Sequence, residues 1–426
     1  MKESGIDWIG QIPEEWEVIK FKYLGDVKQG LTYSPSDIVD KDEGILVLRS
    51  GNIQNGILDF NNNVYVKTKV AESIVLRKND ILITARNGSP ALIGKNTIID
   101  TDIQATFGAF MMVFRANKIL FAKFAFYLMN VSFNFYRTFF TTSTVNQLTA
   151  TIFNGIEVPL PSISEQQKIA DFLDKKTAQL DKVKALLEEQ IQKLKDYRAS
   201  LIYETVTKGL DKTVPMKDSG IDWIGQVPEG WGVGKVKYFS QISAGATPDR
   251  NNSLFWNGNI NWMSSGEVNQ GIVKHTSETI TDLALKRTST KLLPNGTVML
   301  ALNGQGKTKG TAAVLAIESA SNQSLASFIV DNQILNNMYL YYFFVANYYN
   351  IRGLKGEDRD GLNLQLVSNI DIPLFEIEEQ QKIVDFLNKK TVQIDQLIQI
   401  KNQQIENINK QRQTLIYDYV TGKSRV

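Results

Sequence analysis

The chain has 426 residues, of which 43% are hydrophobic and 22% charged, so it is long enough for two or more globular domains and too apolar for a disordered protein. Cysteine is absent and His275 is the only histidine, which excludes disulfides, zinc sites of the Cys₄ or Cys₂His₂ type and most catalytic metal sites. The formal net charge of +2 does not indicate a partner by itself.

The apolar runs of the sequence are short. The N-terminus, MKESGIDWIG, lacks the apolar stretch of a signal peptide, and the runs FGAFMMVF (107–114) and MYLYYFFVA (338–346) are far below the ~20 residues of a membrane-spanning helix. The absence of cysteine fits a reducing compartment. We therefore expect a soluble intracellular protein.

A short motif near the N-terminus occurs twice. KESGIDWIGQIPEEW (2–16) recurs as KDSGIDWIGQVPEGW (217–231) with three differences. An exposed tail has no physical reason to keep two tryptophans and a proline in the same order, because single apolar side chains on a surface are not required for folding. We call these segments the tryptophan motifs and expect each to bind or pack against something.

A second repeat predicts two long helices. SEQQKIADFLDKKTAQLD (164–181) recurs as EEQQKIVDFLNKKTVQID (378–395) with five differences, each time after a strand-like segment that contains proline. The patterns predict helices over 164–207 and 378–421, each roughly 66 Å long at ~1.5 Å per residue.

Apolar residues recur every seven positions in both helices, with one break at Lys401. Such a repeat predicts a coiled coil, and the duplication favours an antiparallel pair in which each apolar stripe covers the other. The alternative is that each helix lies on its own domain, which a helix of this length would overhang. The predicted pairing residues are Leu173, Leu180, Leu187, Leu194, Leu201, Leu387, Ile394, Ile408 and Leu415.

The regions between the repeats read as mixed domains. Short β-rich runs alternate with Asn-Gly pairs, which favour tight turns, and two aromatic segments (121–130 and 338–348) read as helices. The predicted class is α+β, with two tandem mixed domains separated by the antiparallel coiled coil in a pseudo-two-fold repeat. The predicted segments are 1–22 (docking), 23–155 (first domain), 156–210 (helix), 211–237 (linker and second tryptophan motif), 238–369 (second domain) and 370–426 (helix).

Each mixed region contains a stretch without acids. No Asp or Glu occurs from Ile103 to Ile156 or from Leu283 to Ile317, while both stretches carry Lys and Arg and are rich in Asn, Gln, Ser and Thr. Cations for phosphates, with amides and hydroxyls for base edges, are the composition that DNA recognition needs. Basic loops on an ordinary surface remain the alternative, which two such stretches make less favourable than one.

The sequence gives little support for nucleotide binding or catalysis. ALNGQGKT (301–308) partly matches a phosphate-binding loop, but Ala301 replaces the leading glycine and the β-branched residues that follow do not predict a helix. No nucleophile elbow and no Asn/Asp-Pro-Pro-Tyr/Phe methyltransferase motif occur, since no two prolines are adjacent. The inventory favours a binding protein without catalytic or metal-ligating residues.

The repeated openings and closings resemble the specificity subunit of type I restriction-modification systems. SEQQKIADFLDKK and EEQQKIVDFLNKK close the two halves, GIDWIGQIPEEW and GIDWIGQVPEGW open them, and LLPNGTVMLALNG (292–304) is similar to phrases of that family's target-recognition domains. The resemblance implies that each variable region reads one half of a bipartite, asymmetric DNA sequence and that the helices fix the spacer.

The resemblance also implies partners. Two modification subunits would carry S-adenosylmethionine and methylate adenine at N6, and two restriction subunits using ATP and Mg²⁺ could join them; this chain would hold no cofactor, in the cytoplasm of a bacterium or archaeon. The partners would dock on the tryptophan motifs, whose candidate residues are Ile6, Trp8, Ile9, Trp16, Ile221, Trp223, Ile224 and Trp231.

DNA-contacting residues are predicted in both halves, with arginines and amides on bases and lysines on phosphates. They are Arg49, Arg86, Asn87, Arg137, Thr142, Asn146, Ser264, Asn303, Gln305, Lys307, Lys309 and Arg352. The alternative function is a coiled-coil protein scaffold without DNA contact, whose variable domains would lack a basic face.

Overall fold

The structure, a computed structural model, describes residues 1–140, 146–355 and 361–426. The chain divides into two units. Unit 1 consists of residues 1–187 and 402–426, and unit 2 consists of residues 188–401. Each unit therefore contains parts of both long helices, because the division crosses each helix near its middle.

Unit 1 contains fourteen short strands in the part of the chain that the structure describes. They are β1 (Lys2–Glu3), β2 (Gln11–Ile12), β3 (Glu17–Lys20), β4 (Gly25–Gln29), β5 (Ile38–Val39), β6 (Ile45–Leu48), β7 (Ile53–Gln54), β8 (Ile57–Leu58), β9 (Val64–Val66), β10 (Ile81–Thr84), β11 (Asn96–Ile98), β12 (Ala105–Phe107), β13 (Met111–Ala116) and β14 (Glu157–Leu160). The helices are α1 (Ala122–Tyr136), α2 (Ala150–Gly155) and α3 (Ile163–Lys208), which continues into unit 2.

Two four-stranded sheets form the mixed domain of unit 1. One is antiparallel with the order β11-β10-β13-β4, and the other has the order β12-β6-β9-β5, in which β12 and β6 are parallel. Side chains alternate across β10: Ile81 and Ile83 join the apolar cluster that includes α1, while Leu82 joins the cluster on the opposite face. This double burial explains why the strand reads as a continuous apolar run.

Asn-Gly pairs make the turns that the sequence predicts. Asn55 and Gly56 join β7 to β8 with φ values of 53° and 78°, the left-handed conformations that a two-residue hairpin turn requires. Asn257 and Gly296, in two of the other pairs, also have positive φ.

Unit 2 repeats this architecture. Its strands are β15 (Met216–Asp218), β16 (Gln226–Pro228), β17 (Gly232–Lys235), β18 (Ser240–Ala244), β19 (Trp256–Met263), β20 (Ile272–Val273), β21 (Glu278–Ile280), β22 (Val298–Ala301), β23 (Ala312–Leu315), β24 (Ala320–Ser321), β25 (Leu325–Val330) and β26 (Asp371–Leu374). Its helices are α4 (Asp282–Arg287), α5 (Asn337–Ala346), α6 (Tyr348–Gly353), α7 (Leu364–Ser368) and the first part of α8 (Ile377–Val420).

The sheets of unit 2 correspond to those of unit 1. The order β18-β25-β22-β23 matches β4-β13-β10-β11, and the parallel pair of β19 and β24 matches that of β6 and β12. The aromatic segments form α1 and α5, as predicted. The predicted α+β class with two tandem mixed domains is therefore confirmed.

The long helices lie antiparallel within each unit. In unit 1 the rings of Phe172 and Tyr419 are 4.5 Å apart, and Arg412 Nε lies 3.5 Å from Asp181 Oδ1. Within unit 2, Arg198 pairs with Asp395 at 3.3 Å, and Lys401 donates to the Gln190 side chain at 2.6 Å. Within each unit, the later of the two α3 residues contacts the earlier of the two α8 residues, which confirms the predicted antiparallel pairing.

The predicted seven-residue stripe faces inward. Leu173, Leu387 and Ile394 are buried, and the other predicted pairing residues, Leu180, Leu187, Leu194, Leu201, Ile408 and Leu415, are half-buried. Leu186 and Ile400, outside the stripe, stay exposed because two helices can cover only one face of each other. None of the helices in the described part of the chain is long and apolar enough to cross a membrane.

The tryptophan motifs fold back onto the helix ends of their own units. The buried Trp16 donates through its indole nitrogen to Glu165 at 3.1 Å, and the hydroxyl of Tyr417 donates to the carbonyl of Trp8 at 3.0 Å. In unit 2 the buried Trp231 stacks on Phe375 with ring centroids 3.6 Å apart, and Tyr203 donates to the carbonyl of Trp223 at 3.3 Å.

The prediction that these side chains dock partners stays a prediction. Their packing against the helix ends of their own units is a physical reason to keep them in both copies. The buried members are Ile6, Ile9, Trp16, Ile224 and Trp231. The half-buried members are Trp8, Ile221 and Trp223, which also join the apolar clusters of their units.

Candidate nucleic-acid interface

Unit 1 has an open cleft of about 1200 Å³ where strands of its two sheets end. Four of the predicted DNA-contacting residues lie together on its wall. The lining consists of Leu31, Thr32, Tyr33, Pro35, Ile38, Arg49, Ser50, Gly51, Asn62, Asn63, Arg86, Asn87, Gly88, Gly108, Ala109, Phe110, Met111 and Asn146. All of these residues belong to the described part of the chain, and none is Asp or Glu.

The strand order brings the wall together. Arg49 follows β6, Arg86 follows β10 by two residues, and Phe110 precedes β13. The backbone N–H groups of Ala85 and Arg86 both donate to the carbonyl of Phe110, at 2.9 and 3.0 Å. The backbone N–H of Gly108 donates to the carbonyl of Leu48 at 3.0 Å, which extends the pairing of β12 with β6 to the edge of the cleft. Backbone hydrogen bonds thus join residues that are far apart in sequence into one rim of the cleft.

Arg86 lies against an exposed aromatic ring. Its guanidinium carbon is 5.7 Å from the ring centroid of Phe110, and the Phe110 side chain is 62% exposed. A cation–π contact of this kind favours one position of the arginine while its hydrogen-bonding groups stay available. Among the described residues no hydrogen bond or ion pair engages the Arg86 side chain.

The other predicted residues of the cleft form hydrogen bonds with its loops. Arg49 donates from Nη2 to the carbonyl of Asn62 at 3.2 Å. The Asn87 amide donates to the Ser50 hydroxyl at 3.3 Å, and Asn146 donates to the carbonyl of Gly88 at 3.3 Å. These hydrogen bonds stabilise the loops that follow β6 and β10. The three side chains therefore shape the cleft in the absence of a ligand.

Two predictions for the first half lie elsewhere. Arg137 is outside the cleft and donates to the carbonyl of Ala91 at 2.6 Å and to Asn134 at 3.1 Å. Thr142 lies outside the described residues.

The acid-free stretch of unit 1 is not a free basic surface. Arg115 forms a two-bond pair with the buried Asp80, and the hydrogen bonds to that carboxylate raise the pKa of the arginine further. Lys123 pairs with Asp174. Folding brings acids that are distant in sequence next to the stretch, and they neutralise two of its four cations. The prediction that the stretch offers its cations to phosphates is therefore wrong for these two.

Lys95 and Phe110 are functional candidates that the sequence did not indicate. Lys95 donates to the carbonyl of Ser50 at 3.3 Å beside the cleft, and burial lowers the pKa of its amine. Phe110 belongs to the apolar run FGAFMMVF, in which alternation alone does not tell which side chain leaves the core. The sequence did not indicate Asn62 and Asn63, because the acids and strand residues on either side of them have the composition of an ordinary surface.

In unit 2, several of the predicted residues lie on one loop. Asn303, Gln305 and Lys307 are exposed on the loop between β22 and β23. The hydroxyl of Tyr348 donates to the carbonyl of Lys307 at 3.0 Å, and Arg352 donates to the carbonyl of Lys309 at 3.0 Å. Arg352 therefore stabilises the backbone of this loop.

Ser264 is apart from the other candidates of its unit in sequence. It begins the 3₁₀ turn Ser265–Gln270, where its backbone N–H donates to Glu267 at 2.6 Å. The loop of Lys307 is followed by a strand, β23, instead of a helix. The rejection of a phosphate-binding loop is thus confirmed, since that site needs a helix N-terminus.

The duplicated α+β units, with a cationic, amide-rich and acid-free cleft in unit 1, are features of a class of proteins that bind nucleic acid. Residues 13–195 and 228–410 match the family described as the type I restriction modification DNA specificity domain, and the chain belongs to this family. It is a type I restriction-modification specificity subunit with two recognition domains, and DNA target recognition is the role of the family.

One similar protein spans nearly the whole chain, and another spans slightly less than half of it. The type I restriction enzyme MjaVIII specificity subunit of Methanocaldococcus jannaschii is 26% identical over 98% of this chain and 94% of its own length. The EcoKI specificity subunit of Escherichia coli K12 is 31% identical over 45% of this chain and 43% of its own length.

Solved structures share the fold. A chain from a study of complex assembly and conformational transition of the type I R-M system is similar with a TM-score of 0.75 at 16% identity, covering 97% of this chain and all of that one. The HsdS subunit from Thermoanaerobacter tengcongensis is similar with a TM-score of 0.54 at 15% identity, covering 97% and 98%.

Proposed function

We propose that this chain reads a bipartite, asymmetric DNA target, with one unit on each half-site and the helices α3 and α8 setting the length of the spacer. The observation that carries the proposal is the cleft of unit 1, where two arginines and four asparagines line a wall without acids. Repetition of the fold with different residues at the corresponding loops supports two different half-sites.

The catalytic work belongs to partners in this proposal. Two modification subunits with S-adenosylmethionine methylate adenine at N6, and restriction subunits with ATP and Mg²⁺ cleave DNA where they are present. The names of the relatives, which are subunits of type I restriction enzymes, support assembly with such partners.

The decisive experiment is co-expression of the chain with the methyltransferase subunit encoded beside it, followed by mapping of modified adenines. We expect one motif made of two defined parts and an unread gap. Binding of the purified complex to that motif should weaken steeply with salt, on the order of 10³-fold or more between about 50 and 200 mM for a protein with six or more phosphate contacts.

The scaffold alternative makes the opposite prediction. A coiled-coil scaffold would assemble with its partner while its removal left the methylated motif unchanged. The same co-expression without this chain tests it, since a specificity subunit is required for any defined motif.

A further inference from the structure

We propose that Arg86, presented by the ring of Phe110, reads a guanine in the half-site that unit 1 contacts and so determines the specificity of that half. This inference rests on the proposed function and assigns one base to one side chain of the cleft. It goes beyond family membership because recognition residues belong to the individual domain.

The surroundings of Arg86 distinguish it from the other arginines near the cleft. Arg49 and Arg137 already donate to carbonyls of their own unit, at 3.2 and 2.6 Å. Arg86 instead has its planar group supported by an aromatic ring and its backbone fixed by the bond to Phe110. Its side chain is exposed, so the hydrogen-bonding edge points to solvent.

The chemistry of that edge favours guanine. A guanidinium fork matches the two acceptors, O6 and N7, that guanine presents in the major groove. Because the guanidinium already lies 5.7 Å from the centroid of the Phe110 ring, the arginine loses less freedom when it binds. The amides of Asn62, Asn63 and Asn87 line the same wall and suit neighbouring base edges.

A phosphate contact is the competing role for Arg86. A lysine keeps the charge that a phosphate contact needs, but it lacks the planar fork that matches the two acceptors of guanine. Arg86→Ala removes both the charge and the fork, and Arg86→Lys removes the fork alone.

The experiment uses the complete complex with its methyltransferase subunits. We expect the wild-type motif to contain a guanine that becomes degenerate in Arg86→Ala and also in Arg86→Lys, with binding to the cognate site weakened by roughly 5- to 150-fold. The other half-site and the spacer should be unchanged. Arg77→Ala, which removes an exposed cation outside the cleft, should keep the full motif.

Phe110 should act through Arg86. Phe110→Ala is expected to relax the same guanine partly, and the double variant with Arg86→Ala should be no worse than Arg86→Ala alone. Thermal unfolding of each complex, compared with Arg77→Ala, shows whether the fold persists.

An unchanged motif in Arg86→Ala, or a uniform loss of affinity whose salt dependence falls by about one phosphate, would overturn the assignment. A relaxed position that is not a guanine would do so too. If the wild-type complex methylates without any defined motif, the proposed function itself fails, and this outcome is distinct from a specific wild type with an indifferent Arg86.

Discussion

Gln166 and Gln380 explain why EQQKI is repeated. Both are buried completely, and each accepts a hydrogen bond from the backbone N–H before the aromatic helix of its unit, at 2.7 and 2.8 Å. Each also donates to two carbonyls, at 2.9–3.0 Å for Gln166 and 2.8–2.9 Å for Gln380. The first glutamine of the motif thus joins the start of the long helix to the mixed domain.

We expect Gln166→Ala to lower the free energy of unfolding by at least ~2 kcal/mol, because it leaves three backbone groups without partners in a buried place. Gln167→Ala is the matched control, since Gln167 is the same residue type one position further and exposed. Urea unfolding of the two variants measures the difference. Equal midpoints would contradict the role of Gln166.

At the scale of the elements, the helix pair carries reciprocal contacts. Arg412 pairs with Asp181 in unit 1, and Arg198, the equivalent of Arg412 in the repeat, pairs with Asp395, the equivalent of Asp181. Such exchange is expected when duplicated helices lie antiparallel. The pairs are partly exposed, so they contribute little to stability, and the apolar stripe provides most of it.

Lys401 interrupts that stripe and offers a test. Lys401→Leu should raise the free energy of unfolding by about 1 kcal/mol, because a half-buried polar position would gain apolar burial in exchange for the bond to Gln190. Gln399→Leu, at an exposed position of the same helix, should change nothing. Thermal unfolding compares them, and a lower midpoint for Lys401→Leu would indicate that the Gln190 bond dominates.

At the scale of the whole molecule, unit 1 consists of two separate segments of the chain, whereas unit 2 is one continuous segment. Unit 1 needs both ends of the chain: Lys423 donates to the carbonyl of Gln11 at 2.6 Å, and Arg425 pairs with Glu15 and Glu165. Because α3 and α8 each contribute residues to both units, their length is the quantity that our proposal connects to the spacer.

Inserting seven residues after Leu187 in α3 and seven after Lys401 in α8 tests this connection. A heptad in each helix keeps the apolar stripe in phase and adds roughly 10.5 Å, or about three base pairs at ~3.4 Å each. We expect the methylated motif to keep both half-sites and gain about three spacer positions. Insertion in one helix alone is the control and should destabilise the pair.

An unchanged gap in the double insertion, with both half-sites intact and the complex folded, would contradict the role of the helices in setting the spacer. Mapping of modified adenines gives the result directly.

Much of the fold follows from local patterns. The seven-residue repeat, the Asn-Gly pairs and the aromatic segments specify the helices and turns because periodicity and φ preference act within a few residues. The site was less predictable: Arg49, Arg86, Asn87 and Asn146 were found by residue type, while Phe110 was not, since its exposure depends on how β12 and β13 meet their neighbours.

The sequence by itself determined that the chain is duplicated, that two long helices pair, and which family it resembles, because repeats and heptads are properties of residue order. Only the tertiary structure decided that the tryptophan motifs pack against the helix ends of their own units. It also decided that Asp80 and Asp174 neutralise two of the four cations in the acid-free stretch of unit 1. Burial and charge pairing depend on residues far apart in sequence, and folding alone brings them together.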